Sequence, residues 1–122
     1  MTINPRADVE YEELLVSMRK AAQQALVLFG KARQRHKAIE ECNELAVAVA
    51  HWADNKATDE EVATEVADVL LMCEQLGLML GRDLLNTAIK QKLKKLQGIL
   101  DDAQSPYAEE DPTLLVNVFK GA

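Results

Sequence analysis

Apolar residues recur at steps of three and four along most of this chain, and three breaks interrupt them: Gly30, the stretch Asp54-Asn55-Lys56-Ala57-Thr58-Asp59, and Gly81. The period matches an α-helical turn of about 3.6 residues and leaves almost no room for the two-residue alternation of a half-buried strand. The stripes are Tyr11, Leu14, Met18, Ala21 or Ala22, Ala25 and Phe29; then Ile39, Cys42, Ala46, Val49 and Ala53; then Val62, Val66, Val69, Cys73, Leu76 and Leu80; then Leu85, Ile89, Leu93, Leu96 and Leu100. They predict four helices over 9–31, 33–54, 59–80 and 82–100, the first capped by Asp8. Thr58 with Glu61 three residues on is a capping box that marks the third start. Gly30 and Gly81 are helix stops. The expectation is an all-α, four-helix antiparallel bundle forming one domain over 1–122, followed by an apolar tail over 111–120 that opens on Asp111-Pro112.

Aromatics are few (Trp52, Tyr11, Tyr107, Phe29 and Phe119), so Leu, Ala, Val and Met must build the core. Cys42 and Cys73 fall on apolar positions and read as reduced core residues of a cytoplasmic protein. No apolar run is long enough to span a bilayer, and the N-terminus lacks the apolar segment of a signal peptide. A net charge of −6 argues against stable binding to a nucleic acid polymer or an anionic membrane.

Two carboxylate pairs stand out on consecutive helices. Glu41 with Glu44, and Glu65 with Asp68, are each three apart, so each pair shares a helix face. Either pair alone is most often a solvated helix surface. Both together, beside apolar seams on helices that fold back on one another, bring four acids to one spot. Such acids repel unless cations or protons compensate them. Hard oxygen ligands suit Mg²⁺, with Mn²⁺ the alternative, and Mg²⁺ keeps positions open for water and phosphates. The natural chemistry is hydrolysis of a phosphate ester or anhydride. A redox-metal bundle would carry Glu-x-x-His pairs; here Arg33 and Ala48 precede His36 and His51 by three residues.

With Glu40-Glu41-Cys42-Asn43-Glu44 on one helix and Glu65-Val66-Ala67-Asp68 on the next, the chain resembles the MazG-like, all-α nucleoside triphosphate pyrophosphohydrolase superfamily. That superfamily includes phosphoribosyl-ATP pyrophosphohydrolases and dimeric dUTPases. The resemblance covers roughly residues 26–96. It implies that Glu41, Glu44, Glu65 and Asp68 ligate Mg²⁺, and that Asn86 and Lys90 on the following helix help hold substrate. It further implies hydrolysis of nucleoside triphosphates to monophosphate and pyrophosphate, by a homodimer or homotetramer.

Glu40 or Glu44 would orient the attacking water. Lys37, Lys90 and Lys94 are the candidate phosphate cations. Gln23, Gln24, His36, His51 and Trp52 are candidates for reading the base. The alternatives are a non-enzymatic helical oligomerisation or adaptor protein, whose four acids would stand apart, and a phosphoribosyl-ATP pyrophosphohydrolase.

Overall fold

A computed structural model describes residues 4–104, whose regular structure is entirely helical: α1 (Pro5–Phe29), α2 (Lys31–Ala53), α3 (Asp59–Leu80) and α4 (Arg82–Ala103). The apolar tail expected over 111–120 lies outside the described residues. The chain divides into two units, the first ending at Gly81 and holding α1, α2 and α3, the second beginning at Arg82 and holding α4. Among the described residues no helix is long and apolar enough to cross a membrane.

Local chemistry explains the start of α1, its junction with α2, and the start of α3. Asn4 caps α1 through its Oδ1, which accepts the N–H groups of Arg6 at 3.1 Å and Ala7 at 3.3 Å, and Pro5 takes the first helical position. The helix therefore starts ahead of the expected cap. Asp8 sits inside the first turn, where its charge suits the helix dipole. Gly30 closes α1 and opens α2: its N–H donates to the Leu26 carbonyl, and its own carbonyl accepts from Gln34. Its φ of +86° is a conformation that glycine adopts without strain.

The α2–α3 turn carries Asn55 at φ +58°. Thr58 Oγ1 accepts the Glu61 N–H at 3.1 Å, and Glu61 Oε2 accepts the Thr58 N–H at 3.0 Å. Across that turn the Trp52 indole N–H donates to Asp59 Oδ1 at 2.8 Å.

Helices α2 and α3 run antiparallel. Trp52–Asp59 pairs them beside the turn, and Gln34–Gln75 pairs them at the far end, where Gln34 Nε2 donates to Gln75 Oε1 at 2.7 Å. The Gln75 amide also donates to the Leu71 carbonyl, so this buried polar pair is well satisfied. Helix α1 packs on both α2 and α3.

The buried face of α2 differs from the expected stripe. Gln34, Ala38 and Glu41 are buried, and Leu45 and Ala48 are half-buried, whereas Ile39, Cys42, Ala46 and Val49 are exposed. Alanines at 38 and 48 allow close helix approach, and the glutamine bond holds that face against α3.

On α3, Val62 is buried and Val69 and Leu76 half-buried as expected, but Val66, Cys73 and Leu80 are exposed and the flanking Met72 is buried. Both cysteines are thus exposed rather than core residues. On α1 the stripe shifts toward Leu15, Met18, Ala22 and Leu26, with Tyr11, Leu14 and Phe29 exposed. The Arg33 guanidinium lies over the Phe29 ring, 5.1 Å from its centroid. The seam expected to be buried on α4 is half-buried at Leu85 and exposed at Ile89, Leu93, Leu96 and Leu100.

Candidate metal centre

The same antiparallel register brings the acid pairs together. One carboxylate oxygen each from Glu41, Glu44, Glu65 and Asp68 lies within 4.8 Å of the others. Glu41 is only 6 % exposed, Glu65 and Asp68 are half-buried, and Glu44 opens to solvent. Lys37, one turn earlier on α2, places Nζ 3.0 Å from Glu41 Oε1 and 3.8 Å from Glu40 Oε2.

The other oxygen of Glu41, Oε2, is buried without a hydrogen-bond partner, and so is Oε2 of Glu65. Buried acceptors are normally paired, and leaving a charged one bare costs more than leaving a neutral one. An all-oxygen donor set with two bare buried oxygens fits a hard divalent cation, which takes carboxylate oxygens and tolerates solvent on its open side.

Protonation follows from the crowding. The hydrogen bond from Lys37 holds the Glu41 carboxyl below its ordinary range against the opposing effect of burial. The negative charge of Glu41, then burial, then the charge of Glu65 push Glu44 above that range. The same bond, which Lys37 donates to Glu41, raises the lysine above its ordinary range.

The two acids therefore act on stability in opposite directions. Raised in the folded state, Glu44 contributes stability below the ordinary carboxylate range that is lost as pH rises through its folded pKa. Lowered in the folded state, Glu41 contributes stability above that range that is lost as pH falls through its folded pKa. Thermal melts in EDTA are expected to show a midpoint that rises as pH drops from neutral and then falls once Glu41 protonates. Mg²⁺ should erase the decline on the neutral side. A midpoint that falls steadily from neutral pH downward would show that the acids do not oppose one another.

The remaining candidates are spread wider. Glu40 is exposed beside Lys37 and outside the cluster. Asn86, Lys90 and Lys94 are exposed along one face of α4, in the second unit. His36 lines a cleft of about 510 Å³ with Phe29, Arg33, Gln34, Lys37 and Glu40. His51 lines another of about 480 Å³ that reaches Glu44 and Glu65 and includes Asn43 and Lys56. Gln23 and Gln24 are exposed on α1, and the Trp52 indole is tied to Asp59.

Sequence reasoning missed the Gln34–Gln75 pair and the Lys37–Glu41 bond. A signal for the first was present: Gln34 precedes Glu41 by seven residues and Gln75 follows Asp68 by seven, so both share the faces of the acids. No protein-family model, curated protein or solved structure matches this chain.

Proposed function

We propose that this chain is a Mg²⁺-dependent nucleoside triphosphate pyrophosphohydrolase of the MazG-like kind. It would convert NTPs or dNTPs, modified ones included, to the monophosphate and pyrophosphate. The observation that supports this reading most is the pair of bare, buried carboxylate oxygens inside a four-acid cluster that borders an open cleft. Glu41, Glu44, Glu65 and Asp68 would hold the cation. When bound, Mg²⁺ supplies neutralisation of phosphate charge and a more acidic water.

The protein's own groups do the rest. Glu44, the solvent-facing member of the cluster, is suited to orient the attacking water and take its proton. The water oxygen adds to the α-phosphorus, and the bond to the pyrophosphate leaving group breaks. Glu40, outside the cluster, is less suited to that role. Lys37 and the neighbouring Arg33 and His36 offer cationic or donor groups to phosphate oxygens. Asn86 and Lys90 enter this reading through the family resemblance, and Lys94 as a further cation one turn beyond Lys90.

The reading includes self-association. Val27, Leu28, Ile39, Val47 and Val49 are exposed on α1 and α2, and no large side chain among the described residues is fully buried. A second copy of the chain would cover such a face. The same exposure supports a second reading, a helical oligomerisation module without catalysis, although the four acids that it expects to stand apart are clustered.

The two readings separate in one assay. Pyrophosphate and monophosphate release from a panel of NTPs and dNTPs, with Mg²⁺ or with EDTA, is expected to show metal-dependent turnover of at least one nucleotide. Sedimentation of the same preparation should find a dimer or tetramer. Self-association without turnover and without cation binding would leave only the second reading.

A further inference from the structure

We propose that Lys37 is the resident counter-ion of the acid cluster and is exchanged for the divalent cation when the metal binds. The inference rests on the metal reading above and concerns how the site is held while no cation is bound. The Lys37 ammonium sits 3.0 Å from Oε1 of Glu41, the most buried of the four acids, and about half of the lysine side chain is in solvent. Glu41 thus divides its oxygens. Oε1 meets the lysine, and Oε2 is bare and buried. One positive charge offsets part of the repulsion among four carboxylates that lie within 4.8 Å of one another.

A dication among those carboxylates would stand close to the ammonium and repel it. Lysine is a poor orienter for a metal ligand, because its charge opposes the ion that it would help to hold. Its four-carbon stem is flexible, and the cleft lined by Arg33, Gln34, His36 and Glu40 gives it somewhere to go. Exchange therefore predicts that removing the charge strengthens cation binding, whereas an orienting role predicts a loss of about 10–100-fold.

Mn²⁺ alone serves as the probe, with free Mn²⁺ followed by electron paramagnetic resonance in nucleotide-free buffer. The full-length chain is titrated beside Lys37→Met, Lys37→Arg and Glu41→Gln. Lys37→Met keeps the stem without the charge and is expected to bind Mn²⁺ about tenfold more tightly than the parent. Lys37→Arg, which keeps the charge, should bind no more tightly than the parent. Damage to the fold would weaken binding, so a gain cannot come from disruption. If Lys37→Met binds equally or more weakly while the parent binds well, the exchange is overturned and the metal reading stands. If the parent binds no better than Glu41→Gln, both are overturned.

Discussion

Asp68→Asn is expected to lose at least about a hundredfold in divalent-cation affinity while leaving the metal-free protein as stable as the parent or more so. The magnitude follows because loss of an outer-shell partner already costs about 10–100-fold, and a direct ligand contributes more. The opposite sign for stability follows from the cluster. Asp68 contributes one of four carboxylates within 4.8 Å, and buried oxygens of Glu41 and Glu65 lack partners. An asparagine keeps the shape, removes a negative charge, and brings an N–H₂ group that can donate to a bare oxygen. A group retained for folding would behave differently: its loss would lower stability and binding together. Mn²⁺ titration and thermal melts in EDTA on the same preparation read both quantities. A fall in the melting midpoint alongside the loss of affinity would mark the acids as structural, and unchanged affinity would remove Asp68 from the site.

Met72→Ala is expected to be the most damaging single truncation of the first unit, at about 2–5 kcal/mol. The buried apolar residues among those described are Ala22, Ala38, Val62 and Met72, and Met72 is both the largest and only 4 % exposed. Its sulfur also lies 3.7 Å from Nε2 of Gln75, next to the glutamine pair that joins α2 and α3. Typical domains have only about 5–15 kcal/mol in hand. For a unit of this size the loss corresponds to a fall of about 10 °C or more in melting midpoint. Val27→Ala is the matched control: that side chain is 89 % exposed, and its truncation should change the monomer little. Chemical denaturation at several protein concentrations separates the cases. If Val27→Ala proved the more damaging of the two, the main apolar core would lie between copies of the chain rather than within one.

Features that depend on a few neighbouring residues were readable from the sequence. Thr58 and Glu61 form the expected capping box because both bonds reach across three residues. Gly30 and Gly81 end their helices in positive-φ conformations that favour glycine. The start of α1 was misplaced although its signal was equally local, because Asn4-Pro5 is a stronger entry than Asp8. The acid cluster was readable for a related reason: spacing of three puts each pair on one face, and a short turn returns α3 along α2.

Which face of a helix is buried could not be read from one helix alone. Two stripes overlap on α2, the more apolar Ile39-Cys42-Ala46-Val49 and the mixed Gln34-Ala38-Glu41-Leu45, and the protein buries the second against α3. Periodicity ranks stripes by hydrophobicity, but burial depends on what the partner helix presents. Here α3 presents Gln75 to Gln34 and acids to acids. The sequence alone thus determined the helices, their ends and the spacing that makes a four-acid cluster available, because those depend on contacts within a turn or two. The Lys37–Glu41 bond belongs with these local features, since it spans four residues of one helix. Only the tertiary structure decided that Glu41 is buried, that its second oxygen is left bare among the acids of α3, and that the cysteines face outward. Those properties arise where α2 and α3 meet, and Glu41 and Glu65 lie more than twenty residues apart in the chain.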